Sequence, residues 1–215
     1  MKARPIASAA VVLLCAGLLW AQKAWEKKPY TEWTQREVNQ VLQESPWARS
    51  ALLQGYILVD TPAAAAAGGP RVLARWESAL TVRRALVRRE ELAGRAGGEA
   101  AAEYLATTPP SHVLMMFGPP LASRSFQNLT EEVARESSYL ELVGSKQKIK
   151  PVAVRLHRRG IELAALEFHF PREIEGKPVL GPEQKKVGFY CGMGSAWFST
   201  EFDLTKMVRD GQPDL

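Results

Sequence analysis

Residues 152–202 alternate apolar and polar side chains more strictly than any other part of this chain, and a period of two commits them to β-strands. Val152, Val154 and Leu156 alternate with Ala153, Arg155 and His157, and after Arg158-Arg159-Gly160 the pattern resumes through Ala164, Leu166, Phe168 and Phe170. Two such runs so close together predict an antiparallel hairpin. A two-residue turn at Arg159-Gly160 would set Val154 opposite Ala165 and Val152 opposite Glu167, mixing the faces. A three-residue turn over Arg158 to Gly160 sets Val154 opposite Ala164 and Val152 opposite Leu166, with Gly160 in the left-handed position of a bulged turn, and this is the register expected. Lys185 to Met193 supplies a further strand, with Val187, Phe189, Cys191 and Met193 on one face and Lys186, Gly188, Tyr190 and Gly192 on the other. Gly192 to Ser195 turn the chain into a fourth strand through Ala196, Phe198, Thr200 and Phe202. The four make an antiparallel meander whose apolar face carries Leu166, Phe168, Phe170, Phe189 and Phe198.

The N-terminal half reads differently. Thr34 followed by Glu37 predicts a capping box at the start of a helix whose Val38, Val41 and Leu42 share a face. Ser45-Pro46 ends it, because the residue before proline is pushed out of helical backbone, and Trp47, like Trp33, is expected to close a core edge. A short strand at Tyr56 to Val59 leads into Pro62, five alanines and Gly68-Gly69-Pro70, a low-complexity loop near 61–70. Arg71 to Glu77 returns to strand, with Val72, Ala74 and Trp76 inward. From Ser78 toward Tyr104 the pattern is helical, but Gly94, Gly97 and Gly98 each cost about 1 kcal/mol inside a helix and predict two helices in place of one. The Arg83, Arg84, Arg88, Arg89, Glu90 and Glu91 cluster is expected to coat the wet face. His112 to Phe117 predicts a buried strand stopped at Gly118-Pro119-Pro120, and Asn128 or Thr130 can cap a helix toward Leu140. Helices mixed with short strands first and a run of strands last predict an α+β fold, a C-terminal antiparallel β-meander packed against helices from the N-terminal half, in a single domain over 30–215.

Lys2 and Arg4, an apolar run from Ile6 to Ala21 and the polar stretch after it have the layout of an export signal. The run is shorter than the ~20 residues that span a bilayer comfortably. Ala21 suits a cleavage site while bulky Leu19 does not, so residues 1–21 read as a signal peptide or as an uncleaved membrane anchor. Cleavage removes Cys15 and leaves Cys191 alone, so the mature domain holds itself by packing without an internal disulfide. The net charge of +5 falls to +3 without Lys2 and Arg4, and with basic and acidic residues intermixed this argues against a nucleic-acid partner.

No catalytic, cofactor-binding or metal-ligating residue is assigned from the sequence. No H-E-x-x-H, paired C-x-x-C or G-x-S-x-G spacing occurs, and Gly192-Met193-Gly194-Ser195 has the glycines of a strand turn. In the expected register His157 lies opposite Ile161 and His169 opposite Ile149, too far apart to share a metal, and His112 belongs to another strand. Cys191 falls on the apolar face as a buried thiol. Glu162, Glu167, Glu173 and Glu175 identify no carboxylate pair for glycoside chemistry.

Trp33, Ser45-Pro46-Trp47-Ala48, Arg75-Trp76-Glu77-Ser78-Ala79-Leu80, Phe170-Pro171-Arg172 and the closing Phe202-Asp203-Leu204 with Lys206-Met207 resemble a group of uncharacterised predicted-secreted bacterial proteins. The resemblance spans nearly all the mature chain and brings no activity, cofactor or catalytic residue with it. The functional expectation is an exported, extracytoplasmic, non-enzymatic protein that binds an envelope protein or a surface polymer. The alternative is an exported hydrolase whose site is assembled from scattered residues.

Overall fold

The computed structural model describes residues 23–55, 70–95, 97–121, 126, 128–160 and 162–215. The N-terminal segment 1–21, the strand expected over 56–59 and all but the last residue of the loop near 61–70 lie outside the described residues. Among the described residues the α-helices are α1 (Ala24–Lys27), α2 (Gln35–Glu44), α3 (Leu80–Leu92), α4 (Glu99–Ala106) and α5 (Glu131–Ser137). The strands in chain order are β1 (Ala48–Leu52), β2 (Arg71–Trp76), β3 (Ser111–Leu121), β4 (Tyr139–Leu142), β5 (Lys148–Ile149), β6 (Ala153–Arg159) and β7 (Glu162–Pro171). They continue with β8 (Glu173–Ile174), β9 (Lys177–Pro178), β10 (Lys186–Met193), β11 (Ala196–Asp203), β12 (Val208–Arg209) and β13 (Gln212–Pro213). The fold is α+β with antiparallel sheets. None of the described helices is long and apolar enough to cross a membrane.

The two C-terminal hairpins go to different sheets. β6–β7 joins a five-stranded sheet in the order β1-β2-β3-β7-β6, and β10–β11 joins a four-stranded sheet in the order β11-β10-β4-β5. A bridge between Gln54 and Trp197 stitches the sheets along one side. Their apolar faces meet, with Phe168 and Phe189 edge to face at 5.2 Å, Phe189 and Phe198 at 5.6 Å, and Trp76 against Phe202 at 5.5 Å. All five of these aromatic residues and their neighbours Leu114 and Met116 are fully buried. That shared layer is the core, and each aromatic withdrawn from water contributes on the order of 2–3 kcal/mol.

Outside this layer, α2 and α3 pack on each other, and α2 packs against β1 and β2. Thr34 and Glu37 form the expected capping box, with the Thr34 N–H donating to Glu37 at 2.8 Å. Trp47 is buried and its Nε1–H donates to the Asp214 carbonyl at 2.7 Å, so the plug after Ser45-Pro46 ties the start of β1 to the far end of the chain. The Asp214 carboxylate accepts from the Leu80 and Thr81 N–H groups, capping α3 from a residue more than a hundred positions away. The basic cluster on α3 departs from expectation: Arg83 is 4% exposed and stacks over Tyr104, because α4 folds back onto that side of α3. β3 also runs on to Leu121 in place of stopping at Gly118. β2 accompanies it only as far as Leu73 opposite Phe117, so the prolines lie where that neighbour no longer requires their missing N–H, and pairing with β7 resumes at Leu121 opposite Leu163 after a register shift.

The β6–β7 hairpin corrects the expected register. Val154 lies opposite Phe168 and Leu156 opposite Leu166, and the strands stay paired until Arg159 opposite Glu162. Between His157 opposite Ala165 and Arg158 opposite Leu163 the register shifts, leaving Ala164 as the extra residue of a bulge. Closing the strands at Arg159 opposite Glu162, where His157 opposite Ile161 was expected, adds three to the register and the bulge adds one, so from Leu166 onward the faces are preserved while the cross-strand partners change. Gly160 does adopt the left-handed backbone, at φ 62°.

Candidate functional site

The outward face of the four-stranded sheet builds a groove from residues on three strands. β10 presents Gly188 and Tyr190 outward, and the register sets Gly188 between Glu141 on β4 and Glu201 on β11. Tyr190 sits between Tyr139 and Ser199, and Trp197 pairs with Gly192 one step further along. Gly188 has no side chain, so the strand is hollow between the two glutamates. The aromatic rings form a continuous stack at its side, Tyr139 on Tyr190 at 5.0 Å with 14° between planes and Tyr190 on Trp197 at 5.6 Å with 20°. Lys148 Nζ lies 4.3 Å from the Tyr139 centroid and closes that end of the stack by a cation–π contact. Trp197, at the other end, is 39% exposed, an unusual amount for so large an apolar surface on a sheet.

The groove measures about 490 Å³, and its polar lining includes Glu141, Ser199, Thr200 and Glu201. Lys146 pairs with Glu141 at 3.5 Å and Lys186 with Glu201 at 2.7 Å, so each carboxylate beside the aromatic wall faces a lysine. None of Tyr139, Trp197, Glu141 or Glu201 stands out in the sequence. The one available signal is Tyr190, an aromatic residue on the polar side of the β10 alternation.

A second constellation lies on the outward face of the five-stranded sheet, and here the structure overturns the separation expected of the histidines. His157 and His169 both reach Glu167: His157 Nε2 to Oε2 at 2.8 Å and His169 Nε2 to Oε1 at 2.7 Å. The four-residue change of register is the reason, since it moves His157 to a position opposite Ala165 and His169 opposite Ala153, flanking Glu167 opposite Arg155. Burial would raise the Glu167 carboxyl, but the hydrogen bonds from His157 and His169 and their charge outweigh it and hold the group below its ordinary range. On the other side of the ring, His169 Nδ1 lies 2.9 Å from Ser111 Oγ. Serine, histidine and carboxylate therefore stand in the order nucleophilic catalysis uses, although Ser111 is only 7% exposed at the start of β3.

The remaining candidates are structural. Cys191 is a buried free thiol whose pKa is raised by burial. Gly194 (φ 70°) and Ser195 form the tight turn between β10 and β11, with Met193 opposite Ala196. Glu173 and Glu175 are exposed at the small β8–β9 hairpin. Among the described residues no group of three or more His, Cys, Asp or Glu side chains is arranged to hold a metal ion. Compared with protein-family models, curated proteins and solved structures, the chain finds no match.

Proposed function

We propose that this chain is an exported, non-enzymatic protein that binds a surface polymer of carbohydrate character in the groove beside the Tyr139-Tyr190-Trp197 stack. The observation that carries the reading is the pairing of an exposed aromatic wall with two carboxylates, able to accept from hydroxyls, across the hollow at Gly188. A sugar ring offers C–H faces to such a wall and hydroxyl donors to Glu141 and Glu201, and the groove falls within the ~300–1,000 Å³ of small-ligand sites. The same carboxylates repel a polyanion and pair with Lys146 and Lys186 in the groove, which disfavours single-stranded nucleic acid there. Of the two partner classes left open by the sequence, the groove favours the polymer over a protein. Calorimetric titration with neutral cello-, malto- and chito-hexaose tests it. Saturable binding of at least one is expected, with affinity at least tenfold weaker in Trp197→Ala. Binding of none, or equal affinity in folded Trp197→Ala and Tyr190→Ala, refutes the reading.

A second reading, an exported hydrolase acting by acyl transfer, is favoured by the Ser111-His169-Glu167 order. Covalent labelling of Ser111 by a fluorophosphonate would support it. Absence of labelling, together with ester hydrolysis no faster than that of Ser111→Ala, removes it.

A further inference from the structure

Trp197 ends the aromatic stack, and its two sides differ. On the β10 side Tyr190 covers one face of the indole, at 5.6 Å and 20° between planes. On the side away from β10 lies Gln54, two residues past the end of β1, which forms an antiparallel bridge with Trp197. The Gln54 N–H donates to the Trp197 carbonyl at 2.7 Å and the Trp197 N–H to the Gln54 carbonyl at 3.0 Å. Residues paired in this way carry their side chains on the same face of a sheet. Gln54 therefore stands on the outward face beside the indole, and the alternation agrees, since Leu53 is buried and Gln54 exposed. Gly55 permits the close approach, because its backbone is left-handed at φ 66° and a β-carbon there would run into the Ser195 carbonyl oxygen.

The Gln54 side-chain amide joins no hydrogen bond among the described residues, its pairing with Trp197 being made by backbone alone. It offers a donor, Nε2–H, and an acceptor, Oε1, side by side. Glu141 and Glu201 lie elsewhere, in the row of Gly188, four residues along β10 from the row in which Gly192 meets Trp197. At ~3.3 Å per residue the two rows are about 13 Å apart. That exceeds the width of one sugar ring, so one unit of a chain can lie against Trp197 while another meets the carboxylates.

We propose that Gln54 is the specificity-determining residue of this groove, selecting glycans whose unit on Trp197 keeps two adjacent ring hydroxyls; this rests on the carbohydrate reading of the groove. One hydroxyl donates to Oε1 and its neighbour accepts from Nε2–H, while the C–H face of the ring lies on the side of the indole turned from Tyr190. An acetamido group in place of one hydroxyl breaks the match, because its N–H and C=O point in opposite directions and its methyl crowds the amide. Gln54 is exposed, so an unmatched amide returns to water and the discrimination is modest, about fivefold.

The test is calorimetric titration of the full chain. Cellohexaose and maltohexaose keep adjacent O2 and O3 hydroxyls in every unit, whereas N-acetylchitohexaose carries acetamido at C2 and keeps an adjacent pair only at its terminal unit. At least one of the two glucans should bind about fivefold tighter than the acetylated chain, and Gln54→Met should abolish that preference. Methionine keeps the side-chain length and the backbone bridge, and Gln54→Ala carries the test if it does not fold. If no hexaose binds, or binding is indifferent to Trp197→Ala, the carbohydrate reading fails and the role of Gln54 with it. If binding does depend on Trp197 but N-acetylchitohexaose is held as tightly as the glucans, or the preference survives in the Gln54 variants, the assignment of Gln54 alone is overturned.

Discussion

His112 gives this protein an acid sensitivity whose size follows from its surroundings. The ring is buried against Trp76, and desolvation, assisted by the charge of Arg172, pushes its pKa down to about 3 from an ordinary 6.5. The folded state thus keeps His112 neutral over a range in which the unfolded chain protonates it. The unfolded state binds the extra proton, so stability falls as pH drops below about 6.5 and continues to fall until the folded state also protonates near 3. At ~1.36 kcal/mol per pH unit, this one residue should withdraw about 2.5 kcal/mol between about pH 7.5 and 4.5. That is a large share of the ~5–15 kcal/mol that stabilises a domain. His112→Phe keeps an aromatic ring beside Trp76 and removes the titration. Urea unfolding of both proteins across this range isolates His112, because every other titrating group cancels in the difference. The variant should gain about 2.5 kcal/mol relative to the parent on acidification. Parallel profiles would mean that His112 is protonated in the folded state or reaches water, and would refute the assignment of desolvation as the cause.

Three further outcomes follow from particular contacts. Asp214→Ala removes the carboxylate that accepts from Leu80 and Thr81 but keeps the backbone carbonyl that accepts from Trp47, so a loss of about 1–2 kcal/mol in chemical denaturation is expected, with Asp214→Asn intermediate. Gly192→Ala places a methyl 2.7 Å from the Ser137 carbonyl oxygen, and a strain of roughly 1–3 kcal/mol should appear as a lowered Tm; an unchanged Tm would mean that α5 is free to move away from β10. Cys191, fully buried and with its thiol pKa raised, should react with an aromatic disulfide only on unfolding, which peptide mapping of the labelled site checks; labelling in the native protein would contradict its burial.

Local chemistry was legible in the residues. The Thr34-Glu37 box, the stop at Ser45-Pro46, the glycine break between α3 and α4 and the Gly160 backbone each depend on neighbours within a few positions. The inward faces of β6, β7, β10 and β11 were legible for the most part too, since alternation assigns each side chain to a face. Alternation has a blind spot, however: registers that differ by an even number of residues bury the same face. The four-residue difference in the β6–β7 hairpin therefore left Val154, Leu156, Leu166, Phe168 and Phe170 on their expected side while bringing His157, Glu167 and His169 together; Val152, expected inward, is 63% exposed, and Ala164 became the bulge residue. Arg83 departed from its expected place for a related reason, because whether a long polar side chain meets water depends on which helix packs beside it.

The sequence by itself determined α2, the glycine break between α3 and α4, and the strands β2, β3, β6, β7, β10 and β11, because those depend on backbone preference and the period of hydrophobic burial; β1, β4 and the two-residue strands were not legible, and α5 ends at Ser137 where a helix toward Leu140 was expected. Only the tertiary structure decided what lies beside what. Tyr139, Tyr190 and Trp197 stack because β10 takes β4 on one side and β11 on the other, and Gln54 flanks Trp197 because the residues after β1 bridge the far edge of β11. Such pairings are selected by turn length, bulges and the packing of two sheets on one aromatic layer, energies shared among residues far apart in the chain and carried by no single stretch of it.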